Sequence, residues 1–337
     1  MANKIRVLIV DDSALVRQTL MSILNADPEI EVVGEARNGK DGYEKTLLLK
    51  PNVITMDLTM PIMDGAEAIS AIMEECPTPI IVVSSMDTKV IVKALAIGAM
   101  DFVAVTQEID GISSDLIEKI KIASRIKPIR RMKLNHTPRK LPIKKEIAAK
   151  IVAIGVSTGG PQALQILFSK IPANFPACIL VVQHIAAGFV QGLADWLGQT
   201  TSLHFQVARS GDTPKPGVVF FAPDGVHMTV DDQNRIVLKE DVTKKMVHVP
   251  SIDVMMQSVA EVYQESAVGV IMTGMGRDGV EGISAIKSSG GYTIAQDEKT
   301  SAIYGMNKIA VDQGLIKRVL SLEYISDELI RIVGGTY

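Results

Sequence analysis

From residue 5 onward, short apolar runs alternate with amphipathic stretches of helical period, and this rhythm restricts the chain to parallel-sheet architectures. The runs are Arg6 to Val10, Glu31 to Glu35, Val53 to Met56, Ile80 to Ser84 and Phe102 to Val105. Between and after them lie Ala14 to Leu24, Gly42 to Leu49, Ala66 to Glu75, Lys89 to Ile97 and Leu116 to Ile126. Strands separated by helices pair in parallel, because each helix crosses back over one face of the sheet. The five units predict a doubly wound (βα)5 domain over residues 1–125.

The rhythm stops between Arg125 and Lys145, which hold nine Lys or Arg residues, no acids, and Pro128, Pro138 and Pro142. Such a segment cannot sustain a helix, and residues 126–147 are read as a solvated basic linker. A chain of 337 residues exceeds what one core ordinarily holds, so a second domain is expected over residues 148–337. It opens with a strand at Ile151 to Val156, a helix at Pro161 to Ser169 and a strand at Ala177 to Val182. The same order returns at Val268 to Thr273, Gly279 to Ser288 and Tyr292 to Gln296. Between these parts, Val218 to Ala222, His227 to Val230 and Arg235 to Lys239 are read as an antiparallel insertion turning at Asp231-Asp232-Gln233-Asn234. The fold class is therefore α/β, with two doubly wound domains.

Composition removes several function classes. Apolar residues make up 47% and charged residues 22%, which suits packed cores. With a formal net charge of -3 and 4% aromatic residues, a nucleic-acid partner is not expected. No uncharged apolar stretch nears the roughly 20 residues a membrane helix needs, and the run Val7 to Val10 is too short for an export signal. A cytoplasmic, non-inserted monomer is the expectation. Cys76 and Cys178 lie far apart and form neither a disulfide framework nor a metal-ligand spacing.

In the first half, Asp11 and Asp12 follow the first strand and Asp57 follows the third, so the three carboxylates are expected at the carboxyl edge of the sheet. Crowded carboxylates repel unless a hard cation neutralises them, which implies Mg²⁺. Asp57 is then a candidate phosphoryl acceptor, with Ser84 at the end of the fourth strand available to hydrogen-bond the transferred group. Three unrelated loop carboxylates are the alternative.

In the second half, Gly155-Val156-Ser157-Thr158-Gly159 fits G-x-S-x-G between a strand and a helix, with Pro161 suited to the first helical turn. The turn presents Ser157 beside a helix N-terminus that favours an oxyanion, although such turns also bind phosphates. A serine needs a base, and His184 ends the following strand; His136, His204, His227 and His248 have weaker positions. Asp278, after the strand Val268 to Thr273, is the candidate orienting carboxylate, and Asp253 is its rival. Gly274 to Gly279 also fits the dinucleotide pattern G-x-G-x-x-G, with Asp297 beyond it, so an NAD-binding reading stays open. It is weak, because Asp278 would set a carboxylate where pyrophosphate must lie. The order Ser, His, Asp departs from the α/β-hydrolase order.

Two resemblances extend these readings. Val10-Asp11-Asp12, Met56-Asp-Leu-Thr-Met-Pro-Ile-Met-Asp-Gly65 and Gly98-Ala-Met-Asp-Phe102 resemble the receiver domain of response regulators. That resemblance implies Asp57 as phosphoacceptor, Mg²⁺ held by Asp12 and the Thr59 carbonyl with Asp11 close by, and Phe102 as the aromatic switch. Val105 and Thr106 stand where the family carries Lys and Pro, so weak switching is expected. Ile154-Gly-Val-Ser-Thr-Gly-Gly-Pro161, Gln183-His184, Pro250-Ser-Ile-Asp253, Met272-Thr-Gly-Met-Gly-Arg-Asp-Gly279 and Tyr304-Gly-Met306 are together similar to the chemotaxis protein-glutamate methylesterase family, CheB. Asn307 follows where that family has Pro. The similarity implies Ser157, His184 and Asp278 as a triad, the Met275 amide in an oxyanion hole, and no cofactor for hydrolysis. It further implies hydrolysis of glutamate methyl esters and deamidation of glutamines on chemoreceptor helices, with a chemosensory histidine kinase as phosphodonor. A receiver-linked binding module with an inactive hydrolase domain is the alternative of another class.

Overall fold

The computed structural model describes residues 4–84, 88–104, 109–126, 128, 151–241, 246 and 248–334. Val105, Thr106, His136 and nearly all of the expected linker lie outside these residues. The chain divides into two units, Met1–Asn135 and His136–Tyr337.

In the first unit the sheet order is β2-β1-β3-β4-β5, all parallel, from β1 (Ile5–Val10), β2 (Ile30–Ala36), β3 (Val53–Met56), β4 (Ile80–Ser84) and β5 (Asp101–Ala104). Strands β3 and β4 are buried along their whole length, as continuous apolar runs covered on both faces must be. Helices α1 (Ala14–Asn25), α2 (Gly39–Leu49), α3 (Gly65–Glu75), α4 (Thr88–Ile97) and α5 (Ile109–Ala123) follow the strands in turn. Three have side-chain caps: Ser13 accepts from the Val16 amide, Asn38 from the Asp41 amide, and Asp64 forms a capping box with Glu67. Val7, Ile9, Leu20, Leu24, Val53, Ile81, Val83, Leu116 and Ile120 form one core cluster, each fully buried side chain contributing about 1.5 to 3 kcal/mol before entropy is counted. Because β1 pairs with β2 on one side and β3 on the other, the strand order reverses beside it, and Val10 lies opposite Met56. Asp11 and Asp57 each follow one of these two residues.

The second unit repeats that design with a parallel sheet of seven strands, in the order β14-β13-β12-β6-β7-β9-β8. The central strands are β6 (Ile151–Val156), β7 (Cys178–Gln183), β12 (Ala267–Ile271) and β13 (Tyr292–Gln296). The outer ones are β8 (His204–Val207), β9 (Val218–Phe221) and β14 (Arg318–Leu320). Helices α6 (Gly160–Phe168), α7 (Val190–Thr200), α8 (Ile252–Tyr263), α9 (Val280–Ser288), α10 (Met306–Asp312) and α11 (Leu322–Val333) complete it. The order reverses beside β6, which lies between β7 and β12, with Val156 opposite Gln183 and Ile271 opposite Gly155.

One expectation is corrected. The segment Val218 to Ala222, expected in the antiparallel insertion, forms β9 (Val218–Phe221), which pairs in parallel with both β7 and β8. Only β10 (His227–Val230) and β11 (Ile236–Lys239) are antiparallel. The physical reason is burial: Val219, Phe220 and Phe221 are 0–2% exposed, the unbroken apolar run of a strand covered on both faces rather than the alternation of a half-exposed one. Among the described residues, no helix is long and apolar enough to cross a membrane.

Candidate active site

Strand β6 ends at Val156, and the chain turns into α6 through Ser157, Thr158 and Gly159. Gly159 has φ 78°, a left-handed conformation that favours glycine, and Pro161 occupies the first turn of α6. The turn is held from below: the Ser157 amide donates to the Thr273 carbonyl at 3.0 Å, and the Thr273 hydroxyl donates to the Thr158 carbonyl at 2.9 Å. Fully buried Gln296 in turn accepts from the Thr273 amide at 3.0 Å.

His184 follows β7, and its amide donates to the Val156 carbonyl at 2.9 Å, which sets it beside Ser157 across adjacent strand ends. Gln183 ties the two together, its Nε2 donating to the Ser157 carbonyl at 2.9 Å and the His184 carbonyl at 2.8 Å. The His184 ring sets Nε2 2.8 Å from Asp278 Oδ2, and both side chains are only 12% and 10% exposed. Its Nδ1 is buried without a hydrogen-bond partner. His248 stacks on the same ring, centroids 4.2 Å apart and planes 17° from parallel. Burial, and after it the neighbouring His184, hold the His248 pKa below the usual histidine value.

Asp278 meets the N-terminus of α8 (Ile252–Tyr263). Its Oδ2 accepts from the Ile252 amide at 2.8 Å, and its Oδ1 accepts from the Asp253 amide at 3.0 Å and the Ser251 hydroxyl at 2.7 Å. Burial alone would raise its pKa, yet the bonds from His184, the two amides and Ser251 outweigh it and hold the carboxyl well below the usual carboxylate range. A helix N-terminus supplies orphan N–H groups and positive dipole, so this carboxylate stays charged in a nearly dry place. Asp253, the sequence rival, commits its Oδ1 to other partners, the Gly279 and Gly282 amides at 2.8 and 2.7 Å. Those are the amides at the start of α9 that a pyrophosphate would need in the dinucleotide reading.

Met275, 51% exposed, lies in the loop between β12 and Asp278. A Cβ placed on its neighbour Gly274 would stand 2.7 Å from the Ser157 Cβ, so this loop packs directly on the serine. Of the weaker histidines, His227 is buried and accepts the Ser251 amide at Nδ1, 3.1 Å away, and so backs the cap residue that touches Asp278. Sequence reasoning missed Gln183, Gln296 and Ser251 as supports. Ser251 had a signal, a serine just ahead of an apolar-periodic run; Gln183 stood in a family motif that did not reveal its bond to Ser157, and Gln296 had no signal.

In the first unit, Asp11 is 5% exposed and Asp12 is exposed. Asp57 follows β3, where Ser84 donates to its Oδ1 at 3.0 Å and the Thr59 amide to its Oδ2 at 3.1 Å. A Cβ on Gly65 would stand 2.1 Å from the Asp57 carbonyl oxygen, so only glycine lets the loop before α3 pass so close. Buried Arg17 steadies the first loop by donating to the Asp11 and Asp12 carbonyls at 2.9 and 3.1 Å. Burial first, then the charges of Asp57 and Asp12, push Asp11 up to about 6. Burial also raises Asp57, with Asp12 adding to it. Phe102 is buried in β5 at 3% exposure. Among the described residues, no three His, Cys, Asp or Glu side chains form a metal cage.

These two sets of geometry coincide with two family matches. The profile of the response regulator receiver domain matches residues 7–114, and that of the CheB methylesterase matches residues 152–329. A protein-glutamate methylesterase/protein-glutamine glutaminase from Symbiobacterium thermophilum is 39% identical over 98% of this chain and 97% of its own. The chain belongs to the CheB methylesterase family. A protein of the same name from Carboxydothermus hydrogenoformans, numbered 1, is 42% identical over 97% of this chain and 98% of its own. The crystal structure of the Thermotoga maritima CheB methylesterase catalytic domain is 38% identical, with a TM-score of 0.53, and covers 56% of this chain and all of that one. Membership in the CheB methylesterase family accounts for a receiver and a hydrolase-type site in one chain.

Proposed function

We propose that this protein hydrolyses glutamate methyl esters on chemoreceptor signalling helices, releasing methanol, and deamidates receptor glutamines, with Ser157 as nucleophile, His184 as base and Asp278 as the carboxylate behind it. The observation that carries this reading is the His184 Nε2 to Asp278 contact of 2.8 Å, with the opposite ring nitrogen unpaired. Asp278 accepts the Nε2 proton, which leaves the lone pair on Nδ1; Nδ1 has no hydrogen-bond partner in the resting structure, so Ser157 Oγ has to close on it to give up its proton. Ser157 Oγ bonds to the ester carbonyl carbon, and the oxyanion that forms faces the Met275 amide. His184 returns its proton to the departing methoxide, methanol leaves, and water attacks the acyl-enzyme by the same route. With a glutamine, ammonia leaves in place of methanol.

The receiver reading places a phosphoryl group on Asp57 from a chemosensory histidine kinase. Asp11, Asp12, Asp57 and the Thr59 carbonyl would hold Mg²⁺, which neutralises charge on the carboxylates and the phosphoryl group. They fit it in chemistry: buried Asp11 and half-buried Asp57 have raised pKa values that the nearby Arg17 does not offset at Asp11, and Mg²⁺ keeps several waters and needs only one or two carboxylates. Ser84 is set to hydrogen-bond the transferred group. Val105 stands where a lysine would pair with the phosphate, so the response of hydrolysis to phosphorylation is weak.

The test is methanol release from methylated receptor in membranes by the full chain. Ser157→Ala should lose at least about 10⁴-fold in rate, as removal of a triad nucleophile does elsewhere. Equal, slow release by wild type and variant would instead identify a binding module.

A further inference from the structure

Asp253 has no part in the proposed chemistry, yet it is wired to Asp278 more closely than any other carboxylate. The two residues cap each other's helices. Asp278 immediately precedes Gly279, the N-cap of α9, and accepts from amides that begin α8. Asp253 is in the first turn of α8 and accepts from the Gly279 and Gly282 amides that begin α9. Each carboxylate thereby satisfies orphan N–H groups of the helix that the other one helps to start.

This reciprocity has a mechanical consequence. The Asp278 side chain is fixed by α8, while its backbone continues into Gly279, whose amide is held by Asp253 at 2.8 Å. Removing the Asp253 acceptor leaves the Gly279 and Gly282 amides unpaired and loosens the start of α9 next to Asp278, while Gly274, at the far end of the loop that carries the Met275 amide, stays tied to the Ile303 carbonyl at 3.0 Å. Gly279 has φ 103° and no side-chain cap of its own, so no local device replaces the lost bond. A shift of about 1 Å in a catalytic group can cost on the order of 10²-fold in rate.

Resting on the triad reading above, we propose that Asp253 is a positioning residue: its carboxyl oxygen, by capping α9, holds Asp278 at the geometry the reaction requires. The role lies in the acceptor and not in the charge. Burial, and then the nearby Asp278, push Asp253 up to about 6, so its surroundings tolerate an uncharged side chain. An amide oxygen in the same place should therefore serve.

The experiment compares kcat and KM for methanol release by the full chain from methylated receptor membranes in wild type, Asp253→Ala, Asp253→Asn and Ser157→Ala, with melting temperature recorded for each. Asp253→Ala should lower kcat by about 10-fold or more, with KM within about twofold. Asp253→Asn, which keeps an acceptor for both amides, should recover kcat to within about threefold of wild type. If the alanine variant does not fold, Asp253→Ser, with a shorter capping oxygen, should show the same fall in kcat at steady KM. An alanine or serine variant that loses melting temperature but keeps kcat, or an asparagine variant as slow as alanine, overturns the proposal. Activity surviving in Ser157→Ala would instead sink the triad reading, so the two failures are distinguishable.

Discussion

The two units set carboxylates at the same place, the carboxyl edge of a parallel sheet beside the point where strand order reverses, and then treat them in opposite ways. Asp278 receives two backbone amides, a serine hydroxyl and the His184 ring, and its pKa falls. Asp11 is also buried but has carboxylate neighbours, and its pKa rises to about 6. One carboxylate has its charge satisfied by hydrogen bonds from the chain; the other is raised by burial and by its carboxylate neighbours, with Arg17 only partly offsetting them. The linkage signs differ accordingly. Asp278, with a depressed folded-state value, contributes stability present above the ordinary value of 3.8 and lost as pH falls through the depressed one. Asp11, with a raised value, contributes stability present below 3.8 and lost as pH rises through about 6. Under the proposed function, a divalent cation at Asp11 would offset that loss.

The largest expected effect attacks the Asp278 carboxylate. Asp278→Asn should leave the full chain folded but lower kcat for methanol release by about 10⁴-fold, the scale seen when a triad carboxylate elsewhere becomes an amide and stabilises the wrong imidazole tautomer. A loss under tenfold would mean that His184 is oriented without the Asp278 charge, and the contrast between the units would blunt. A smaller effect is expected on the other side. Val105→Lys should raise the stimulation of methanol release by acetyl phosphate about tenfold, because a charge-assisted bond to a phosphate is worth about 1.5 to 3 kcal/mol. An unchanged response would show that the missing lysine does not limit this receiver.

Much of this contrast was legible in the amino-acid sequence, and the reasons are physical. Val10-Asp11-Asp12 and Met56-Asp57 end apolar runs, and a run's end in a parallel sheet is the edge where ligands bind. The same reasoning set Ser157, His184 and Asp278 beyond the ends of three separate strands, and Asp278 lies 2.8 Å from the His184 ring. It failed where a signal needs two distant segments at once. Val218 to Phe221 reads alike in a hairpin or a covered parallel strand, and only its pairing with β7 and β8 decides. Asp253 and Asp278 competed for one role because sequence spacing cannot reveal that each caps the other's helix. The Gln183 clamp on Ser157 and His184 joins residues 26 apart with no local pattern.

The most direct test of the contrast is a carbon-detected NMR titration of the aspartate carboxyls in the full chain without divalent cation, with Asp11→Asn and Asp278→Asn used for assignment. The account predicts that Asp11 titrates near 6 and moves toward ordinary values when Mg²⁺ is added, while Asp278 is still ionised at pH 3.8, the ordinary midpoint. Asp278 titrating at or above 3.8, or Asp11 titrating there without Mg²⁺, would contradict it.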